Sequence, residues 1–432
     1  MSRATYLYHH CSIFQGFATR NQLRKSGHVP QHDTSALHYS GGLFEGIGTY
    51  NKQDVVVFPT LHANARRAIN SATYGLISSP DKPHLVYDWF MTTHGVEYER
   101  MQSEHAGRKR ADSTLHDLAL LQPIATEDLV FLTLSPQFIE EKCIETAALN
   151  FKRKLITNKP GDRWYVRPVW YRHVPLDQNG RPKPHMGVFD ADCDIVFEIS
   201  VRNIDDYVQG NAPFVLFRLP KNITGEQREA YIRRLGPSLY HLCVGHENTS
   251  GNFKMSANYQ LLSLIKKWAK MNGFQGGMYV DTTPQQCIQE GDGMNVMLLV
   301  DGQGNDPDLW TPSTELERIL PGTKRELALA QARNLGFNVV DNKKVPASMI
   351  QQARGINISG SWAGEKTLGY VADFPTGKYT RFFEPDLDEA ALFLADQNKR
   401  LVTLGEVDRR IKHLQQEPHL TVISIDDLIR AA

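Results

Sequence analysis

Four short segments rich in glycine and small polar residues follow one another in the second half of the chain. They are Phe253-Lys254-Met255-Ser256-Ala257-Asn258-Tyr259, Glu290-Gly291-Asp292-Gly293-Met294-Asn295, Leu320-Pro321-Gly322-Thr323 and Ser359-Gly360-Ser361. In that order they bring an amine, a carboxylate, a helix start and a hydroxyl-bearing loop. Because helical and strand patterns both occur between them, the chain is constrained to a mixed α/β fold.

The overall composition is that of an ordinary globular protein. The chain has 432 residues, enough for two or three domains, with 41% hydrophobic and 22% charged residues. Lys plus Arg and Asp plus Glu both number 48, so no basic excess indicates a nucleic-acid partner. No apolar run approaches the roughly 20 residues of a membrane helix, and the N-terminus lacks the pattern of a secretory signal.

The cysteines indicate a reducing compartment, and we expect the cytoplasm. There are five, they are scattered, and no two form a CxxC pair. His9-His10-Cys11 has no second cluster of ligands at a recognised spacing, so no metal site is expected.

The first part of the chain predicts a smaller N-terminal α/β domain over residues 1–175. Apolar periodicity predicts strands at 54–58 and 165–171 and helices at 60–76 and 136–155. Residues 80–133 contain the basic run Arg108-Lys109-Arg110, which belongs either to a solvated loop or to a lid or subunit-contact element. Pro175, Pro182 and Pro184, together with the Asn179-Gly180 pair, predict an interdomain linker at 176–185.

The rest of the chain, residues 186–432, predicts a larger C-terminal domain with a helical tail at about 386–414. Strands are expected at 193–201, 214–219, 337–340 and 356–359, and helices at 224–243, 256–272 and 324–335. We expect the strands at 278–281 and 295–300 to pair with each other. The predicted buried stripe of the 256–272 helix consists of Leu261, Leu264, Ile265, Trp268 and Met271.

Each polar segment has both a structural and a chemical interpretation. Lys254 is either a solvated surface lysine or an amine that bonds covalently to a carbonyl group. Thr323-Lys324-Arg325-Glu326 has the pattern of a capping box, and the same helix start is suited to phosphate. Glu290 either precedes a simple glycine turn or faces a ring nitrogen, and Arg67 is either solvated or a phosphate ligand.

Together these motifs resemble the branched-chain aminotransferases among the class IV aminotransferases, which are fold-type IV enzymes dependent on pyridoxal 5'-phosphate (PLP). The pattern is Lys-x-x-x-Asn-Tyr, Glu-Gly-x-Gly-x-Asn, Leu-Pro-Gly and Ser-Gly-Ser. The segment 36–46, Ala-Leu-His-Tyr-Ser-Gly-Gly-Leu-Phe-Glu-Gly, and the strand Tyr165-Val166-Arg167-Pro168 also agree. The resemblance covers residues from about 35 to 80 and 134 to 370, and it implies two α/β domains, the second barrel-like.

The resemblance implies a role for each candidate residue. Lys254 is the catalytic lysine that binds PLP. The other residues implied to hold the cofactor are Arg67, Tyr259, Glu290, Leu320, Thr323, Lys324 and Ser361. The residues implied to line the substrate pocket are Tyr39, Phe44, Gly46, Tyr165, Arg167, Trp362 and Ala363.

The implied activity is transfer of an amino group between an L-amino acid of the branched-chain type and a 2-oxo acid such as 2-oxoglutarate, by a homodimer. A D-amino acid transaminase or a lyase resembling aminodeoxychorismate lyase shares the fold, and a non-catalytic binding protein is the third alternative. Four positions depart from the family pattern: Met294, Lys324, Ser361 and Trp362. The tryptophan stands in the turn that receives the substrate carboxylate in the family.

Overall fold

The fold is known from a computed structural model, which describes most of the two regions that carry the motifs. The described residues are 6–11, 14–19, 22–23, 41–51, 55–74, 134–159, 162–172, 179, 195–204, 212–217, 226, 250–271, 273–281, 285–302, 308–316, 319–361, 364–373, 378–381 and 421–430.

Elements are numbered here in chain order over the described residues. The helices are α1 (Leu61–Tyr74), α2 (Pro136–Lys152), α3 (Ser256–Met271), α4 (Thr323–Asn334) and α5 (Ile425–Arg430). The strands are β1 (Tyr6–Cys11), β2 (Phe14–Thr19), β3 (Leu43–Phe44), β4 (Ile47–Gly48), β5 (Tyr50–Asn51), β6 (Val55–Phe58), β7 (Trp164–Arg172), β8 (Ile195–Asn203), β9 (Ala212–Phe217), β10 (Gly276–Val280), β11 (Cys287–Gly291), β12 (Asn295–Val300), β13 (Asp308–Trp310), β14 (Asn338–Val340), β15 (Val345–Pro346), β16 (Ala353–Gly360), β17 (Gly364–Asp373), β18 (Lys378–Arg381) and β19 (Thr421–Ser424).

Six strands form a first sheet in the order β2-β1-β8-β7-β3, with β4 also paired to β7. Aromatic side chains fill its core, and Trp170 and Phe197, which are cross-strand partners, have ring centroids 4.5 Å apart. Helix α2 covers this core with Ile139 and its neighbours. The helix begins where it does because the Ser135 hydroxyl accepts a hydrogen bond from the Phe138 amide at 3.0 Å, and Pro136 suits the first turn.

The boundary predicted at 176–185 would divide this first sheet. Strand β8 pairs with β7 along its whole length, from Trp164 opposite Asn203 to Arg172 opposite Ile195. Strand β19, close to the C-terminus, pairs with β6. Backbone hydrogen bonds therefore place residues from the expected C-terminal domain in the sheets of the N-terminal one, and the first sheet extends to residue 203.

Ten strands form the second large sheet, in the order β14-β13-β12-β16-β17-β9-β10-β11-β15, with β18 on β17. The predicted pairing of 278–281 with 295–300 is wrong. Strand β10 pairs with β9 and β11, whereas β12 pairs with β13 and β16. The sequence signal for β11 was weak because this fully buried strand, Cys287–Gly291, carries two polar residues and a glycine.

Helix α3 buries Ile265 of the predicted stripe, but the other two members whose side chains are described are exposed. Leu264 is 41% exposed and Met271 is 84% exposed, whereas Leu262, Ile265 and Ala269 are buried against Tyr279. The prediction selected the largest apolar residues of the helix. The face that packs on β10 instead consists of Leu262, Ile265 and Ala269. The side chains of Leu261 and Trp268 lie outside the described set.

The other predicted elements within the described residues form close to their expected bounds. The helix at 224–243, apart from Glu226, the helical tail at 386–414, the insertion at 80–133 and the linker at 176–185, apart from Asn179, lie outside the described residues. No helix in the described part of the chain has the length and hydrophobicity needed to span a membrane.

Replacing Ile265 with alanine should lower the free energy of unfolding by about 2–4 kcal/mol, because a fully buried aliphatic side chain leaves a cavity. The matched change Leu264→Ala, one residue earlier, should stay within about 0.5 kcal/mol, as is usual for exposed positions. Urea denaturation of both variants measures the difference. Equal losses would contradict the observed helix orientation.

Candidate active site

Lys254 lies where the N-terminal and C-terminal halves of the chain meet. Its amide donates a hydrogen bond to the Ser71 hydroxyl at 3.0 Å, and its carbonyl accepts one from the Phe44 amide at 3.2 Å. The Ser256 amide donates to the Gly42 carbonyl at 2.8 Å. The backbone on both sides of the lysine is therefore held by the segment 42–44 and by helix α1.

The Lys254 amine is buried among aromatic rings. Its Nζ donates to the Tyr259 hydroxyl at 2.6 Å and lies 5.0 Å from the centroid of the Phe44 ring. Burial lowers the pKa of this amine to about 7, and the positive charges of Arg67 and Arg167 add to that effect. A large fraction of the amine is therefore unprotonated near neutral pH, which is the form that attacks a carbonyl carbon.

Glu290 is the penultimate residue of β11, and its side chain is buried. Burial raises the pKa of its carboxyl to about 8, although Lys254, Arg67 and a backbone hydrogen bond to Leu320 act in the opposite direction. A carboxyl of this kind can share a proton with a basic nitrogen brought beside it. Burial also raises the pKa of the Tyr259 phenol.

Arg67 extends from helix α1 and forms a buried ion pair with Glu45. Its Nε and Nη2 each donate to the Glu45 carboxylate at 2.8 Å, and its Nη1 donates to the Pro321 carbonyl at 2.8 Å. Burial alone would raise the pKa of Glu45, but the Arg67 charge holds that pKa below its usual range. A guanidinium has five N–H donors, so two remain for an anion at the same site.

A chain of hydrogen bonds continues from this pair to the start of α4. Asn64 donates to Glu45 at 2.8 Å and accepts from Thr60 at 2.7 Å. The Thr323 hydroxyl lies within hydrogen-bond distance, 3.3 Å, of two acceptors, the Thr60 hydroxyl and Asn64 Oδ1. The N-terminal ends of α1 and α4 therefore lie side by side.

The predicted capping box is wrong. Gly322 is the N-cap of α4 and no side chain caps the helix, because Thr323 is already in the first turn and its hydroxyl turns to α1. The Glu326 carboxylate accepts instead from Arg325 at 2.6 Å. The backbone amides at an uncapped helix start carry a partial positive charge and have no partners within the helix. The start of α4 therefore favours the binding of an anion.

Gly322 is required at this cap by the close approach of Asn295. A Cβ added at Gly322 would lie 1.8 Å from Asn295 Oδ1, and Asn295 Nδ2 donates to the Leu320 carbonyl at 3.0 Å. Ser359 is the cross-strand partner of Asn295 and shares its face of the sheet. The buried Ser359 hydroxyl has no hydrogen-bond partner among the described residues, as expected for a polar group that faces a ligand site.

A second cluster surrounds Arg167, on the side of Lys254 formed by β7. Its guanidinium lies 4.4 Å from the centroid of the Phe44 ring and 4.8 Å from that of Tyr165, and it donates to the Tyr165 hydroxyl. Gly46 lies against Tyr165, since an added Cβ would be 2.2 Å from the phenol oxygen. A cation and aromatic faces suit a carboxylate with an apolar side chain.

Most of the predicted site residues come together around these two clusters. Lys254, Tyr259, Glu290 and Arg67 interact electrostatically, and Phe44 joins Lys254 to Arg167. The Lys324 amine lies 4.8 Å from the centroid of the Tyr50 ring. The Ser361 carbonyl accepts from Arg163 at 3.5 Å. Tyr39, Trp362 and Ala363 lie outside the described residues.

Glu45 is the site residue that sequence reasoning missed. It is buried and pairs with Arg67, although only its neighbours Phe44 and Gly46 were assigned roles. An acidic residue inside an otherwise apolar and glycine-rich segment was the available signal. Its partner stands 22 positions away in the sequence, so only the folded chain identifies the pair.

A protein-family model matches the part of the chain that carries Lys254, Glu290 and Thr323. Residues 234–365 match the model of the amino-transferase class IV family. Branched-chain-amino-acid aminotransferase 1, mitochondrial, of Arabidopsis thaliana is 28% identical over 122 residues, which are 28% of this chain and 30% of that protein. The match thus spans less than a third of that relative. The resemblance to the class IV aminotransferases is confirmed for this part of the chain.

Solved structures extend the similarity over nearly the whole chain. The branched-chain aminotransferase of Thermoproteus uzoniensis, crystallised with norvaline, gives a TM-score of 0.61 at 14% identity and covers 98% of this chain and 100% of its own. That of Thermobaculum terrenum in its PLP form gives 0.60 at 14% identity, covering 98% and 99%. At these identities the similarity establishes the fold, and the predicted α/β architecture of fold-type IV is confirmed.

Substituting Gly46 with alanine should lower the free energy of unfolding by about 1–3 kcal/mol, because the new methyl group overlaps the buried Tyr165 ring. Gly41→Ala is the matched control, since an added Cβ there meets nothing within 4 Å. Thermal unfolding followed by circular dichroism compares the two. If Gly46→Ala were as stable as Gly41→Ala, the close contact between Gly46 and Tyr165 would be disproved.

Proposed function

We propose that this protein is a PLP-dependent class IV aminotransferase that moves an amino group between an L-amino acid of the branched-chain type and a 2-oxo acid such as 2-oxoglutarate. The observation that carries the proposal is the buried amine of Lys254. It donates a hydrogen bond to the Tyr259 phenol and interacts electrostatically with Glu290 and Arg67. The class IV match over residues 234–365 supports it.

The residues at the site fit PLP. The uncapped start of α4, with the amides of Thr323 and Lys324, would hold the phosphate together with Ser361 and the remaining donors of Arg67. The Glu290 carboxyl would face the ring nitrogen and the Tyr259 phenol the ring hydroxyl. Leu320, which precedes the Pro321-Gly322 turn, would pack on the ring.

Bound PLP supplies an aldehyde for covalent attachment and a protonated ring that withdraws electrons. The lowered pKa makes the unprotonated Lys254 amine available near pH 7, and this is the form that would attach covalently to such an aldehyde. The Lys254 amine, when it is not attached to the cofactor, would serve as the base that accepts the α-proton of the substrate and as the acid that gives it back. An ionised Glu290 carboxylate would stabilise the positive charge of a protonated ring nitrogen beside it, because opposite charges attract strongly in a buried site.

The substrate pocket would lie on the side of Lys254 where Phe44, Gly46, Tyr165 and Arg167 meet. The Phe44 and Tyr165 rings present apolar surface, which suits a branched aliphatic side chain. The Arg167 guanidinium supplies donors for a carboxylate. Tyr39, Trp362 and Ala363 would complete this pocket, as the family resemblance implies.

We also propose a homodimer located in the cytoplasm. The dimer is carried over from the family resemblance, and the compartment from the scattered cysteines. Cys143 and Cys287 are both buried free thiols, which supports a reducing environment.

Lys254→Ala should abolish both the covalent attachment of PLP and the formation of glutamate from L-leucine and 2-oxoglutarate. Mass spectrometry of the borohydride-reduced protein locates the attachment, and a coupled assay measures glutamate. Lys267→Ala is the control, because that exposed lysine lies on α3 away from the site. A PLP-labelled peptide that does not contain residue 254 would refute the assignment.

The rate at which PLP attaches to the apoprotein should rise with pH, pass its midpoint near pH 7 and level off at higher pH, since burial lowers the Lys254 pKa to about 7. An ordinary lysine would keep gaining reactivity up to about pH 10. Glu45→Gln should move the midpoint to lower pH, because the Glu45 charge raises the Lys254 pKa. Stopped-flow absorbance measures the rates, and a wild-type midpoint near pH 10 would contradict the buried amine.

A further inference from the structure

We propose that Lys266 and Asp292 are positioning residues, which hold the Tyr259 phenol and the Glu290 carboxyl at the separation that the cofactor ring requires. The inference rests on the proposed function, and it concerns two residues that have no other role in the proposed mechanism.

The ion pair joins helix α3 to the turn that follows β11. Lys266 Nζ lies 3.3 Å from Asp292 Oδ2, and the two side chains are 17% and 1% exposed. Two charges removed from water in this way are strongly dependent on each other, because loss of one partner leaves the other buried and uncompensated.

The pair parallels the relation between Tyr259 and Glu290, which interact electrostatically across the same two segments of the chain. Tyr259 and Lys266 are seven positions apart on α3, which is about two helical turns, so they project from the same face. Asp292 follows Glu290 by two residues, in the turn that begins where β11 ends. The same face of the helix therefore faces this segment of the chain twice, once at the site and once about two helical turns away.

The turn that carries Asp292 lies beside the Tyr259 ring. Gly293 in this turn has a φ of +88°, and a Cβ added there would be at van der Waals distance, 3.5 Å, from Cε1 of that ring. Tyr279, which interacts electrostatically with Asp292, donates from its hydroxyl to the Leu262 carbonyl at 3.4 Å. The position of this turn therefore bears on the Tyr259 ring as well as on Glu290, which precedes it directly in the chain.

The charged groups around the pair explain why it is sensitive to substitution. Burial raises the pKa of Asp292 to about 7 and lowers that of Lys266, and each partner opposes the shift of the other. Lys270, from the next turn of α3, adds a positive charge near both. Burial raises the pKa of the Tyr279 phenol, and the charges of Asp292 and Glu290 raise it further.

The test compares Lys266→Met, Asp292→Asn and the double variant with Lys266→Arg, which retains the charge, and with Lys267→Met as the matched surface control. For each protein, the affinity of the apoprotein for PLP and the pH midpoint of the visible absorbance of the bound cofactor are measured. Each single variant should weaken PLP binding about tenfold, and the double variant should do no worse than either single one. The absorbance midpoint should move by about half a unit or more.

Lys266→Arg and Lys267→Met should keep both values. If Asp292→Asn does not accumulate as folded protein, the comparison of Lys266→Met with Lys266→Arg decides the question. Variants that lose thermal stability yet retain the wild-type affinity and midpoint would show a merely structural pair and overturn the inference. Failure of the wild-type protein itself to bind PLP covalently would instead refute the proposed function, and this inference with it.

Discussion

The ion pair between Glu45 and Arg67 is the interaction on which the site depends. It joins the segment between β3 and β4 to helix α1, and through the Pro321 carbonyl to the turn before α4. Both side chains are buried, and removing one partner of such a pair typically costs about 3–5 kcal/mol. Since Asn64 extends the contact to Thr323, the same pair places the start of α4 beside α1. The geometry of the proposed phosphate site follows from this placement.

Two ionisable groups at the centre of the site are shifted in opposite directions by the same cause. Burial lowers the pKa of the Lys254 amine to about 7 and raises that of the Glu290 carboxyl to about 8. Both groups therefore titrate near neutral pH, whereas a lysine and a glutamate that are exposed to water do not. The fold achieves this by surrounding the amine with the Phe44 and Tyr259 rings while fixing its backbone to α1 and β3.

Some features could be predicted from the sequence because they depend on neighbouring residues. Helix α2 begins at the predicted residue, since Ser135 and Pro136 act within one turn. Predictions that depended on distant partners were less secure. The capping box at Thr323 formed different hydrogen bonds because α1 presents Thr60 and Asn64 to that hydroxyl. In helix α3, Leu264 is exposed although it belongs to the predicted stripe. The face that packs on β10 carries Ile265, and the position of β10 does not depend on the size of the apolar residues in the helix.

The sequence by itself determined the mixed α/β class, most helix and strand positions, and the order of the segments that carry Lys254, Glu290, Thr323 and Ser361. These follow from local periodicity, glycine placement and motif spacing, which are properties of short stretches of chain. Only the tertiary structure decided that Glu45 neutralises Arg67, that Ile195–Asn203 completes the first sheet, and that Lys266 meets Asp292. Their partners are distant in the sequence, and burial makes each of these contacts strong only once the whole chain has excluded water.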